Sequence, residues 1–544
     1  MESARSAPAA RRILICDELA PAAVDIFRAR GFEPEIRLGL AEDALVAAVP
    51  GVHALVVRSA TKITRRVIEA AGELRVIGRA GVGVDNVDTE AATERGVVVM
   101  NTPTGNTTSA AELAIALLLA LARHVPRADR IVRKGSWSKK GLTGTEVAGK
   151  RLGIVGLGRI GRAVARRALG LEMSVVAHDP FLQGEAAPIA GLDLVDLATL
   201  VSTSDFVSLH LPLTDATKNL FSRERLFAMK PGARLVNAAR GGLVDETALV
   251  EALESGHLAG AALDVFAEEP PPKDHPLLQR DDVVLTPHLG ASSHEAQLAV
   301  AVDVARQICD FLVEGVAHNA VNAPAVSAQT LREIAPYVLL AEKMGALLVQ
   351  LTSGPIRKIE LTLSGEIARQ DHRHVPLALL CGILRAGIDE GANFVSAPLI
   401  ARERGIRLLE GQEEESHSWA SLIKVRASTK GGEESHVVAG TVFGRAPRIV
   451  RIDELHVDLE PKGPILITRH RDVPGVVGML GTLLGEERVN IRRIELGPAE
   501  EARGPAGGEP LARGFLSLYE VPAPAVVARV AALAPVKDVK LVRL

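Results

Sequence analysis

Arg240, Glu269 and His288 carry the side chains that proton and carboxylate chemistry on a small acid requires. An arginine presents a planar fork of N–H donors that matches a carboxylate in two parallel hydrogen bonds. A histidine exchanges a proton near neutral pH, and a carboxylate beside it fixes its tautomer and stabilises the imidazolium. Beside a nicotinamide ring, the three together suit hydride transfer between a C2 hydroxyl and a ketone. Each alone has a plainer reading: a surface ion pair for Arg240, a loop acid before prolines for Glu269, a hydrogen-bonded structural histidine after Pro287 for His288.

A dinucleotide fingerprint accompanies them in residues 151–179, RLGIVGLGRIGRAVARRALGLEMSVVAHD. A short apolar strand runs into Gly156-x-Gly158-x-x-Gly161 and a helix follows. A second strand ends at Asp179, eighteen residues past the third glycine. Gly156 permits the tight turn, Gly158 lets the backbone approach a pyrophosphate, and Gly161 lets helix and strand pack closely. The helix N-terminus offers free N–H groups and a positive dipole end to the phosphates. Asp179 can accept from both ribose hydroxyls and would repel a 2′-phosphate, so NAD(H) is expected over NADP(H). A bare glycine-rich turn is as compatible with no ligand; the flanking strands, helix and acid make it a site.

These residues need a scaffold, and the pattern supplies one. Residues 12–101 alternate β-rich runs at 13–16, 35–38, 54–58, 76–79 and 97–100 with helical segments at 20–30, 42–48, 64–71 and 89–95. Such alternation makes a mostly parallel sheet covered by helices on both faces. This unit is complete before the fingerprint begins, so it is expected on the substrate side. Residues 106–124, NTTSAAELAIALLLALARH, read as a helix that is apolar nearly all round, buried between domains or at a subunit contact. After Asp179 strands are expected at 206–210, 234–237, 259–266 and 283–286, with helices at 246–254 and 294–314. Open α/β sheets bind ligands outside the carboxyl ends of their strands, where Asp179, His210, Arg240, Asp264 and His288 all fall.

Residues 321–330 read as a linker. From 335 to about 453 the pattern is mixed, with a helix near 338–350, strands at 358–363 and 421–425, and a charged turn at 430–434. From 464 it reads strand (465–469), helix (475–485), strands (490–496 and 514–521), helix (524–534) and strand (536–542), with a Gly/Pro/Glu loop at 497–508. That order is the ferredoxin-like βαββαβ unit.

A chain of 544 residues holds three or four domains. The net charge of −3 argues against a nucleic-acid partner, and 3% aromatics argue against stacking platforms. Cys16, Cys309 and Cys381 have no CxxC and no histidine spacing suited to a metal, so buried thiols in a reducing compartment are expected. The leader at residues 1–12 lacks an apolar signal region and reads as disordered. The run at 113–122 is too short to span a bilayer. No membrane partner and a cytoplasmic location are expected.

The blocks NAARGGLVDE, GAALDVFAEEPPP and LTPHLGASSHEA resemble the signatures of D-isomer-specific 2-hydroxyacid dehydrogenases. With VVRSATK, RAGVGVDNVD, NTPTGNTTSAAELA and the C-terminal half, the chain from residue 12 onward resembles the long, phosphoglycerate-oxidising branch of that family. The resemblance implies an α/β fold of two Rossmann-like or flavodoxin-like lobes. The NAD lobe (103–288) would be inserted into a split substrate lobe (12–102 and 289–320). A mixed α/β intervening domain (331–455) and a ferredoxin-like ACT regulatory domain (463–544) would follow. The implied reaction is NAD-dependent oxidation of 3-phospho-D-glycerate to 3-phosphohydroxypyruvate, the first step of phosphorylated L-serine biosynthesis.

Residue by residue, the resemblance implies that Arg240 holds the substrate carboxylate and His288 is the acid–base. Glu269 would be its partner, while neighbouring Glu268 is not the matching position. Arg159, Ile160, Leu211, Ala238, Asp264 and Ala291 would line the cofactor beside the three glycines and Asp179. Arg58, Ser59, Lys62, Arg79 and Asn106 would cradle the phosphate, the alternative being a solvated basic rim. Two departures stand out: Val82 replaces a threonine of some members, and Lys139 in the Trp137 loop replaces an arginine. His470, Asp472 and Asn490 would meet an L-serine effector where two ACT domains adjoin, unless that domain only assembles a homo-oligomer, dimer or tetramer. Arg448 and Arg451 would bind an anion or simply face solvent. Two other readings stay open: a glyoxylate or hydroxypyruvate reductase, and an NAD-sensing corepressor without turnover.

Overall fold

Short β-branched runs separated by helices assemble into two parallel sheets. The computed structural model describes residues 11–182, 187, 189–388, 391–414, 419–432, 434–498 and 510–544. Residues 1–10 of the expected leader and residues 499–508 of the expected loop lie outside the described residues. The first sheet has the strand order Glu35–Ile36, Arg12–Ile15, Val52–Val57, Val76–Arg79, Val98–Asn101, parallel throughout. Its order reverses between Arg12–Ile15 and Val52–Val57, and Asp17 and Arg58 lie just past those two carboxyl ends. A crevice opens at such a switch point because successive connections leave on opposite faces.

The second sheet is also parallel, in the order Val283–Leu285, Gly260–Leu263, Arg234–Asn237, Phe206–Leu209, Arg151–Val155, Ser174–His178, Leu192–Leu194. Its switch point falls between Arg151–Val155 and Phe206–Leu209, directly above the glycine fingerprint. The helix Thr107–Ala122 packs here: Ala114, Leu117, Leu118 and Leu121 share a core with Leu152, Ile154, Val164 and Ala168. It is thus part of the seven-stranded lobe's own core, although its sequence suggests a place between domains or at a subunit contact. Each such leucine contributes about 1.5–3 kcal/mol on burial. Its polar side is held by an ion pair from Arg167 to Glu112 at 2.9 Å.

The helix His294–Glu314 then carries the chain back to the first lobe. A Cβ on Gly78 would lie 2.6 Å from both Val304 and Ile308, so only glycine lets this helix seat on the strand. Val300, Val304 and Ile308 join a core with Ile13, Phe27, Val76 and Met100. The helix stops at Gly315, whose φ of 75° is the left-handed cap that glycine adopts at little cost.

In the C-terminal half the helix expected near 338–350 spans Ala328–Leu351 and runs through Pro336. Ser327 caps it by accepting from Thr330 N at 3.0 Å. Burial of Ile334, Leu340, Met344, Leu347 and Leu348 outweighs the one hydrogen bond that proline removes. By length and composition this helix could cross a membrane, yet its apolar face packs within the chain. It covers a six-stranded sheet ordered Arg407–Glu413, Ile356–Gly365, Ser421–Thr429, Ser435–Phe443, Ala446–Ile452, Leu455–Leu459.

The last sheet is antiparallel, ordered Ile491–Pro498, Leu511–Leu518, Pro464–Arg471, Val536–Arg543, with helices Val476–Glu486 and Pro524–Ala531 on one face. Gly514, expected near a strand start, lies mid-strand, where a Cβ would sit 2.7 Å from Thr468 Oγ1 and 3.2 Å from Leu496. Ile465, Phe515 and Val542 on the other face are buried in one core with Leu361, Ile449 and Leu455 of the six-stranded sheet. Gln350 joins the two units through both backbone groups of Arg543, at 2.8 and 2.9 Å.

Candidate active site

The fingerprint turn is shaped by what its glycines exclude. Gly156 has φ +94°, and a Cβ there would lie 2.5 Å from the His210 carbonyl oxygen and 2.7 Å from Leu211. A Cβ on Gly161 would lie 2.1 Å from the Gly156 carbonyl oxygen. Gly158 meets nothing within 4 Å, so the space above it is open to a ligand. The helix Arg159–Gly170 begins there with no side-chain cap, leaving its first N–H groups for an anion. Arg159 is exposed and Ile160 half-buried at that end. Asp179 closes the mouth, accepting from Leu157 N at 2.9 Å and from Phe181 N at 3.0 Å. A turn with an open cradle, unclaimed amides and an acid at its rim fits a dinucleotide.

His288 and Glu269 follow the last two strands of the same sheet, Val283–Leu285 and Gly260–Leu263, past their carboxyl ends. His288 Nδ1 lies 2.7 Å from Glu269 Oε2, and Phe266 N donates to the other carboxylate oxygen at 3.1 Å. An ionised carboxylate only accepts, so Nδ1 carries the proton and Nε2 is left to take one. Burial pushes the Glu269 carboxyl up, but the His288 hydrogen bond and charge outweigh it, leaving Glu269 below its ordinary value. His288 has φ 55°, a left-handed conformation a non-glycine residue adopts only when held. Asp264 does the holding. Its carbonyl oxygen accepts from His288 N at 2.9 Å, and its carboxylate takes Thr286 Oγ1 at 2.6, Leu289 N at 2.7 and Gly290 N at 3.0 Å.

Burial pushes the Asp264 carboxyl above its usual range, which those donors only partly offset. Half-buried Ala238 and Ala291 flank this end of the sheet. An apolar cavity of about 430 Å³, lined by Phe266, Pro270, Leu278, Leu285 and Pro287, backs the pair. Burial brings the His210 imidazole down to about 4, and its Nε2 meets Ser208 Oγ at 2.9 Å.

Arg240 faces this pair from the turn after Arg234–Asn237. Buried Asn237 shapes that turn, donating to Arg240 O at 2.7 Å and accepting from Ala239 N at 3.1 Å. From the five-stranded lobe Arg79 and Arg58 come within charge–charge reach. Burial first, then the charges of Arg240 and Arg58, bring the Arg79 guanidinium down to about 10. Arg79 Nε and Asn106 Oδ1 are buried without a hydrogen-bond partner, an arrangement that suits a bound polar ligand. Ser59 and Lys62 lie exposed on the rim. Asp17, a strand-end acid with no signal of its own in the sequence, fastens their loop: it accepts from Arg58 N at 2.5 Å and from Thr61 Oγ1 at 2.7 Å.

The remaining sites are more distant. His470 and Asp472 line a cavity of about 270 Å³ at the start of the helix Val476–Glu486, but Asn490 is not among its lining residues. His470 is buried, which lowers its imidazole, and its Nδ1 meets Thr468 Oγ1 at 3.1 Å. Arg448 pairs with Asp458 at 3.4 Å and Arg451 with Glu454 at 3.1 Å. Among the described residues no group of three or more metal-ligating side chains is present.

The chain is similar to known proteins. Residues 115–290 match the family profile of the D-isomer specific 2-hydroxyacid dehydrogenase NAD binding domain, and residues 333–453 match the D-3-phosphoglycerate dehydrogenase intervening domain. A D-3-phosphoglycerate dehydrogenase of Archaeoglobus fulgidus is 44% identical over 493 residues, 91% of this chain and 93% of that one. One from Methanocaldococcus jannaschii is 40% identical over 534 residues, 98% of this chain and 100% of that one. Among solved structures, the NAD complex of formate dehydrogenase from Staphylococcus aureus superposes with a TM-score of 0.51 at 32% identity, covering 56% of this chain and 96% of that one. The TT0316 protein of Thermus thermophilus does so with a TM-score of 0.53 at 42% identity, covering 57% and 99%. With the NAD-shaped turn, the acid–base pair and near full-length likeness in hand, the chain belongs to the D-3-phosphoglycerate dehydrogenases of the D-isomer-specific 2-hydroxyacid dehydrogenase family, and its cofactor is NAD.

Proposed function

We propose that the chain oxidises the C2 hydroxyl of 3-phospho-D-glycerate to give 3-phosphohydroxypyruvate. One observation carries this reading: the His288–Glu269 pair at 2.7 Å stands at the strand ends of the NAD sheet with Arg240 nearby and Arg79 and Arg58 opposite. Bound NAD⁺ supplies the hydride acceptor. Arg240 orients the substrate by its carboxylate. His288 Nε2 takes the hydroxyl proton as the C2–H bond gives up its hydride, and Glu269 stabilises the imidazolium that results. Arg58 and Arg79, with Ser59, Lys62 and Asn106, take the phosphate. Arg159, Ile160, Asp179, Leu211, Ala238, Asp264 and Ala291 line the cofactor.

The units divide accordingly, with the substrate lobe at 12–102 and 289–320, the NAD lobe at 103–288, the intervening unit at 331–455 and an ACT unit at 463–544. The cavity at His470 and Asp472 supports an L-serine effector site completed by Asn490 of a second copy, in a cytoplasmic homodimer or homotetramer. A steady-state assay with NAD, comparing phosphorylated and unphosphorylated 2-hydroxy acids with and without L-serine, tests the reading. Preference for the phosphate-free acid would move the assignment to a glyoxylate or hydroxypyruvate reductase, and no turnover with any would leave a dinucleotide-sensing regulator.

A further inference from the structure

Asp85 has no part in the reaction above, yet it engages the arginine that the reaction depends on. Its Oδ2 accepts from Arg240 Nε at 2.8 Å, while Arg240 Nη1 donates to Ala239 O at 2.6 Å. Arg240 Nη2 lies over Gly83, where a Cβ would be only 1.7 Å away. Asp85 follows the strand Val76–Arg79 of the five-stranded lobe, and Arg240 follows Arg234–Asn237 of the seven-stranded lobe. Among the described residues theirs is the one ion pair that crosses between those lobes.

We propose that Asp85 is a placeholder carboxylate: it occupies Arg240 while the cleft is empty and gives way to the carboxylate of the hydroxy acid. The inference rests on the reading that Arg240 binds that carboxylate. Three cations, Arg58, Arg79 and Arg240, converge here, and their mutual repulsion is costly unless an anion stands among them. Asp85, with Asp17 beside Arg58, supplies that anion when no substrate carboxylate does. It reaches Arg240 through a single hydrogen bond, whereas a ligand carboxylate can take the Nε–Nη2 edge in two. The Asp85 side chain is 58% exposed against 24% for Arg240, so on displacement Asp85 turns into water at little cost. Substrate affinity is therefore the difference between two carboxylates competing for one fork, and the lobes stay linked in either state.

The test uses the full-length enzyme with saturating NAD, malonate as a non-reacting carboxylate inhibitor, and 3-phospho-D-glycerate as substrate. Asp85→Asn keeps the shape and removes the competing charge. Its malonate inhibition constant and its KM for the hydroxy acid should both fall, by about two- to five-fold for a part-exposed ion pair. Its kcat should not rise and its KM for NAD should stay constant, a split that a merely structural lesion does not give. Asp85→Glu, which retains the charge, should stay near the wild-type constants. Unchanged or raised constants in Asp85→Asn overturn the placeholder role. Arg240→Lys separates the two levels: if malonate inhibition does not respond to it, the carboxylate assignment of Arg240 fails, and the proposed reaction with it. If it responds while Asp85→Asn does not, only the placeholder falls.

Discussion

The cofactor turn and the acid–base cleft lie on the same sheet and are built by opposite means. The turn is local: Gly156, Gly158 and Gly161 shape it by lacking side chains, and Asp179 reaches back over it to Leu157 N. The cleft is assembled from strand ends far apart in sequence, and His288 and Arg240 in it are each steered by other side chains. Glu269 steers His288, Asp264 fastens the loop that carries His288, Asn237 shapes the turn of Arg240, and Asp85 holds Arg240 from the other lobe. A site made of backbone is tuned by removing atoms. A site made of side chains is tuned by charge and hydrogen bonding, and it fails at single residues.

That contrast can be broken by mutation. The largest effect is expected from His288→Ala, which should lower kcat by about 10²–10⁴-fold. Calorimetric titration should find its NAD affinity unchanged, and a parallel loss of NAD binding would mean that the two sites are not separable. Next comes Arg240→Ala. Losing charge-assisted hydrogen bonds of about 1.5–3 kcal/mol should reduce kcat/KM for the hydroxy acid by about 10- to 150-fold, most of it in KM. An effect confined to NAD would reassign this arginine.

Glu269→Gln is expected to cost about tenfold in kcat at neutral pH, and its pH dependence sharpens the contrast. The Glu269 pKa lies below its ordinary value in the folded chain. Its contribution is therefore fully present above the unfolded carboxylate value of about 4.3 and is lost as pH falls through the lower folded one. Denaturant melts of wild type and Glu269→Gln should converge only on that acid side, and convergence at neutral pH would remove the pair from the account. The smallest effect is expected from Asp179→Ser. It should raise KM for NAD by about fivefold, the worth of one hydrogen bond, and relax discrimination against NADP. An unchanged NAD/NADP ratio would show that cofactor choice lies elsewhere.

The same division explains how much was legible in the residues alone. The fingerprint could be read because all its parts fall within one βαβ unit. The parallel lobes could be read because buried strands such as Val52–Val57 and Arg234–Asn237 are short apolar runs between turn signals. The contact of Glu269 with His288 was legible from residue types together with the signature blocks that pick Glu269 over Glu268. The other steering partners were not: Asp17, Asp85 and Asn237 are ordinary strand-end polar residues until the fold shows which neighbour each one meets. Arg407–Glu413 left no trace either, because an edge strand exposed along nearly its whole length has no apolar alternation to detect. The helix expected near 338–350 begins ten residues earlier, at Ala328, and passes through Pro336 because burial of its neighbours outweighs the hydrogen bond that proline removes.

The last two sheets share one interior, with Ile465, Phe515 and Val542 in the same buried cluster as Leu361, Ile449, Leu455 and the helix residues Leu347 and Leu348. Their folding is therefore a joint event. A chain cut before Pro464 would expose apolar side chains along the helix Ala328–Leu351 and the edge strand Leu455–Leu459, and the severed tail would carry their mates. Each piece would be prone to clump, so activity lost on truncation would report damaged folding rather than a missing regulator. Point changes at Asp472 leave that seam closed and are the cleaner way to ask whether the tail binds an effector.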